Sequence, residues 1–88
     1  APRRDLAPLQ DMEPARMPKP VYDAWVECLA RCGHLVEAMH VVLDEMRPHA
    51  HTMPDAKTVH TLLKFSQNDP EHGSHVRRAL QEAFPALC

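Results

Sequence analysis

The chain is short of several features that mark common protein classes. Its two glycines, Gly33 and Gly73, stand alone, so there is no glycine-rich loop to cradle a phosphate. No apolar run reaches the eighteen residues that a membrane-spanning helix needs. The N-terminal stretch, APRRDLAPLQ, lacks the apolar core of a secretory signal. Cysteine is present at 28, 32 and 88 only, an odd count that does not suggest a disulfide framework and fits a reducing intracellular compartment. Neither sign of charge dominates: the formal net charge is −2 with the histidines neutral. That is not the basic footprint of an autonomous nucleic-acid binder, although it leaves room for a local basic patch or for one piece of a larger assembly. Only Tyr22, Trp25, Phe65 and Phe84 are aromatic. No segment alternates apolar and polar residues long enough to predict a strand.

What is present is proline, helical periodicity and a 44% apolar content, enough for a small core in 88 residues. Prolines at 2, 8, 14, 18 and 20 deny a long helix to residues 1–20, which read as an extended arm. Leu6, Leu9 and Met12 on that arm are candidates for contact with a partner, and the start of the chain is compatible with what remains after a transit peptide is removed. Residues 21–88 read as a helical domain. Val21 to Cys32 carries apolar residues at 21, 22, 25, 28, 29 and 32, the stripe of an amphipathic helix, and Gly33 ends it. This reading puts Trp25 in the core and makes Cys28 and Cys32 buried thiols. Leu35 to Met46 repeats the pattern after a two-residue link, so the two helices form an antiparallel hairpin over about 21–46. Asp55 is the expected N-cap of a third helix, Ala56 to about Ser66, with Val59, Leu62, Leu63 and Ser66 inward. A fourth helix runs to Phe84, starting either at Pro70 under an Asp69 cap or after Gly73 under a Ser74 cap, and closes a second hairpin over about 55–84.

The two hairpins repeat each other. Val21-Tyr22-Asp23-Ala24-Trp25-Val26 and Thr58-Val59-His60-Thr61-Leu62-Leu63 each follow a proline and open a hairpin, and Thr58 stands 37 positions after Val21. Such units form a short α-solenoid, each burying its apolar face on the next. Tyr22-Asp23, Gly33, Glu37-Ala38, Asp44-Glu45-Met46, Pro54-Asp55 and Thr58-Val59 together resemble the pentatricopeptide repeat family from Pro20 to about Phe65, with tetratricopeptide repeats as the second choice. The resemblance weakens from Gln67 onward. The first unit is one residue too long in its second helix and one in the following loop. The second unit lacks the glycine and the Glu-Ala pair.

The resemblance implies bases read by Asp23 with Asp55 in the first unit and by His60 in the second. Asp23 is an anion where the family uses Asn, Ser or Thr, and Glu27 lies one turn along the same face, which opposes binding to a phosphate chain. Lys57, His60 and Lys64 make the second face friendlier, and Arg77 and Arg78 form a small basic spot. Seven histidines and the Cys28/Cys32 pair do not match the tight ligand pairs of a zinc site, so no metal or other cofactor is expected. Nothing orients Cys28 with a histidine for nucleophilic chemistry, so no enzyme and no small-molecule substrate are expected.

The resulting expectation is an all-α, non-enzymatic helical-repeat adaptor or structural subunit. By resemblance it belongs in an organelle, most often the mitochondrial matrix, in an RNA-linked assembly such as the mitochondrial ribosome. Its partners would be other proteins of a larger complex, and it would not insert into a membrane. Phe84, Leu87 and the outer face of the first hairpin are the expected exposed apolar ends. Two alternatives stand beside it. One is direct single-stranded RNA binding through Asp23, Asp55, Lys57, His60, Lys64, Arg77 and Arg78. The other is a protein-only scaffold of a respiratory or other complex.

Overall fold

Two prolines set the start of the first helix. Pro18 caps it in an extended conformation, its carbonyl accepting from the Val21 and Tyr22 amides, and Pro20 falls in the first turn, where a missing N–H costs nothing. In a computed structural model that describes residues 17–88, helix α1 spans Lys19–Arg31, starting two residues before the sequence pattern suggests. It ends in a Schellman arrangement: Gly33 adopts φ +87, the His34 amide donates to the Leu29 carbonyl at 2.8 Å, and the Gly33 amide donates to Ala30 at 3.2 Å.

Helix α2 (Leu35–His40) continues into a π-helical turn over Val41–Met46, where the Arg47 amide reaches back five residues to Val42 at 2.9 Å. The widened turn brings both Val41 and Val42 into the core beside Met39 and Met46. A short 3₁₀ turn, Ala50–Thr52, follows, and the buried Thr52 hydroxyl donates to the Met46 carbonyl at 3.0 Å, closing the end of that helix.

Helix α3 (Ala56–Ser66) begins as its sequence indicates. Asp55 accepts from the Thr58 amide at 3.0 Å in a reciprocal capping box. Helix α4 (Gly73–Ala83) starts at neither of the two expected places. Asp69 instead holds the preceding turn, accepting from the Glu71 and His72 amides. The helix then begins at Gly73 because that residue lies flat against the Ser66 backbone. A Cβ there would stand 2.1 Å from the Ser66 carbonyl oxygen, so no larger residue fits without moving the turn.

The only regular secondary structure among the described residues is helical, with no strand. Helix α1 packs on α2 and α3 on α4, while α3 also lies against α1 and α2, and α4 against α2. The shared core runs through Tyr22, Val26, Leu35, Val42, Met46, Val59, Leu62, Val76 and Leu80.

Three expectations need correction. Trp25 is 41% exposed and Val21 45% exposed, because α1 turns Tyr22, Val26 and Ala30 inward instead. Cys28 and Cys32 share the outward side with them and are exposed, not buried. Phe84, expected at an open end, is only 8% exposed and belongs to the chain's own core, and Leu87 is half-buried against it. The arm over 1–20, with Leu6, Leu9 and Met12, lies outside the described residues except for its last four positions, of which Lys19 and Pro20 are helical.

Candidate functional site

The first helices of the two pairs, α1 and α3, leave a groove between them. It has a volume of about 330 Å³, and Lys19, Asp23, Glu27, Lys57, Thr58 and Thr61 supply its polar lining. Helical spacing puts Lys19, Asp23 and Glu27 in one row on α1, and Lys57, Thr61 and Lys64 in another on α3.

Inside the groove the two carboxylates named by the sequence meet, but around a cation from the same chain. The Lys19 ammonium donates to Asp23 Oδ2 at 2.8 Å and to Asp55 Oδ2 at 3.0 Å. The Thr58 hydroxyl lies 2.9 Å from Asp23 Oδ1 and 2.9 Å from Asp55 Oδ1, so its single proton is shared between the two acceptors. Asp55 is held well below the usual carboxylate range, first by the Thr58 backbone N–H and then by Lys19. For Lys19, partial burial works to lower the pKa, and the bonds and charges of Asp23 and Asp55 outweigh it, leaving the ammonium raised. Glu27, the remaining carboxylate of the row, is paired to Arg31 at 2.6 Å. Asp23, Asp55 and Glu27 therefore each have a partner within the chain, and both oxygens of Asp23 and of Asp55 accept hydrogen bonds.

Of the other candidates only Lys57 lines the same groove. His60 Nε2 lies 3.2 Å from the Leu87 carbonyl, where its N–H tautomer donates, so the residue ties α3 to the C-terminal turn. Lys57 is exposed at the groove's α3 edge, and Lys64 is exposed two turns further along the same row. Arg77 is half-buried and spends its guanidinium on the α3–α4 turn, donating to the Ser66 carbonyl and the Ser74 hydroxyl, each at 3.3 Å. That places it at the opposite end of α3 from Lys57, about 13 Å along the helix axis. Arg78 is exposed on α4.

Sequence reasoning missed Lys19 and Thr58 as members of the cluster. The i,i+4 spacing of Lys19 and Asp23 was a readable signal, as was Thr58 at the third position after the Asp55 cap. The Lys19–Asp55 contact joins residues 36 apart and has no local signature.

A second surface lies on the far side of α1. Met17, Val21, Ala24, Trp25 and Cys28 line one shallow apolar face, and the exposed Cys32 extends the stripe by a turn. The Trp25 ring leans on Tyr22, centroids 6.3 Å apart, which fixes it in place without covering it. Among the described residues no group of His, Cys, Asp and Glu comes together that would hold a metal, and no helix is long and apolar enough to cross a membrane. Comparison with protein-family models, with curated proteins and with solved structures finds no match for this chain.

Proposed function

We propose that the chain is a non-enzymatic helical-repeat adaptor, two hairpins stacked as a short solenoid, that works through protein contacts. The observation that carries this reading is the apolar outer face of α1. A helix with apolar residues on two sides belongs in the interior of something larger, and α1 has one side in the chain's own core and the other in solvent. The resemblance to pentatricopeptide repeats supports an organellar setting, the mitochondrial matrix first, and an RNA-linked assembly such as the mitochondrial ribosome. In that setting the chain joins proteins and does not read bases itself, because Asp23 and Asp55 are already bonded to Lys19 and Thr58.

Direct RNA binding is the second reading, and Lys57 and Lys64 favour it. They lie on one exposed face of α3 and make no ion pair with another described residue. Titration of labelled single-stranded RNA of mixed sequence, followed by anisotropy at low and physiological salt, separates the two. The adaptor reading expects no saturable binding at either salt. Binding that weakens steeply with salt and is lost in Lys57→Ala/Lys64→Ala would replace it with the RNA reading.

A further inference from the structure

All three thiols of the chain are free, and two of them stand together. Cys28 and Cys32 lie one turn apart at the end of α1, and the Cys32 amide donates to the Cys28 carbonyl at 3.0 Å, which holds them in helical register. Both are exposed, so neither is spent on filling the core.

The spacing decides what the pair can do. Helical neighbours four apart hold their Cβ atoms roughly 5–6 Å apart, whereas a disulfide needs about 3.5–4.5 Å. Joining the two sulfurs directly would pull the last turn of α1 out of register, and with it the bonds of Gly33 and His34 that close the helix. An ion between the sulfurs meets no such conflict. A linear bridge of two metal–sulfur bonds, each about 2.3 Å, sets the sulfurs roughly 4.6 Å apart, which the helical spacing accommodates.

The supply of further donors decides which ion fits. Among the described residues no third His, Cys, Asp or Glu joins the two thiols into a larger ligand group. The adjacent carboxylate, Glu27, is paired with Arg31. Structural zinc takes four ligands, and calcium and magnesium take oxygen. Two thiolates by themselves satisfy a soft monovalent ion that accepts linear coordination, and among biological metals that is Cu(I).

We propose that Cys28 and Cys32 form a two-coordinate site for one Cu(I) ion. Binding replaces two S–H bonds with two Cu–S bonds and releases two protons, and the copper keeps its oxidation state. Affinity therefore falls about a hundredfold for each pH unit toward acid. The site is a property of the single chain and is independent of the adaptor reading. Trp25 stands one turn before Cys28 on the same face, so its emission reports the ion.

The test is an anaerobic titration of the whole reduced chain with Cu(I), in competition with a coloured Cu(I) chelator. Native mass spectrometry of the same samples counts ions per chain. The expected result is one Cu(I) on one 10.0 kDa chain, with Trp25 emission quenched in step. Cys28→Ser and Cys32→Ser, each at an exposed position and each with unchanged helical circular dichroism, bind at least a hundredfold more weakly and keep their emission. Cys88→Ser binds and quenches like the parent. Zn(II) at the same concentration does not displace the copper.

Four results overturn the proposal: no copper retained against the chelator; parent-like affinity in either Cys28→Ser or Cys32→Ser; loss of binding in Cys88→Ser, or one ion held between two chains; or displacement by equal Zn(II), which would require donors beyond the two thiols. None of these bears on the protein-contact reading, which the RNA titration tests separately.

Discussion

Helices α1 and α3 each open a pair of packed helices, and their environments differ in one respect. Helix α3 has α1 on one side and the C-terminal turn tied to His60 on the other. Helix α1 has α3 on one side and, of the described residues, nothing on the other. The composition of each helix follows. The α3 face toward α1 mixes Thr58 and Thr61 with Leu62, and the hydroxyl of Thr58 is used at once, by Asp23 and Asp55. The matching face of α1 is Val21, Ala24, Trp25 and Cys28, with no polar atom that needs a partner beyond the indole N–H. A surface built of such residues is suited to burial by another protein more than to lasting contact with water.

The sharpest way to break this comparison is to truncate one large side chain on each helix, 37 positions apart. Leu62→Ala removes a fully buried side chain and is expected to cost about 3 kcal/mol in urea unfolding, at any protein concentration. Trp25→Ala removes a larger side chain that is 41% exposed, and at high dilution it is expected to cost less than about 1.5 kcal/mol. Equal losses would mean that the two faces are buried alike.

The hairpin turns give the next contrast. Gly73→Ala drives a methyl group into the Ser66 carbonyl and displaces Arg77 from it, so a loss of about 2–3 kcal/mol is expected. Gly33→Ala meets no atom within 4 Å and bears only the left-handed backbone strain at φ +87, about 1 kcal/mol. Thermal denaturation of the two variants side by side checks the order.

A smaller effect is expected at the groove. Asp55→Ala removes the α3 cap and one arm of the Lys19 clamp, for about 1 kcal/mol. The pH dependence has a definite sign. Asp55 has a folded pKa below its ordinary 3.8, so its contribution is complete above that value and is lost as pH falls through and below it, when the unfolded chain takes the proton first. Asp69, held down first by the His72 amide, acts in the same direction. Lys19 is raised, so its share is complete below 10.5 and fades only above it. Urea midpoints measured from neutral pH down to acid should therefore fall less steeply in Asp55→Ala than in the parent.

How much of this was legible in the sequence varies by helix. The bounds of helix α3 were readable, because Pro54-Asp55 followed by Thr58 is a local start signal, and Val59, Leu62 and Ser66 lie inward as their spacing indicates, while Leu63 is only half-buried and Thr58 is buried in addition. Helix α1 was placed to within two residues, but its inner face was misread. Val21, Trp25, Cys28 and Cys32 satisfy helical periodicity as well as Tyr22, Val26, Leu29 and Ala30 do. Periodicity reveals that a stripe exists, and not which of two stripes meets the core. The start of α4 depends on the close approach of Gly73 to Ser66, a contact made by the folded turn and written in no local pattern. The groove was half legible: Asp23 and Asp55 were picked out, while the lysine that joins them sits 36 positions from one of them.

The most direct test of the open α1 face uses Trp25 as its own probe. Acrylamide quenching of the parent chain at high dilution, compared with the same chain unfolded in urea, reads how much of the indole meets solvent. Long-wavelength emission and quenching at a substantial fraction of the unfolded rate are the results expected for a ring 41% exposed on an uncovered stripe. Short-wavelength emission with strong protection at that dilution would contradict the account and return Trp25 to the core.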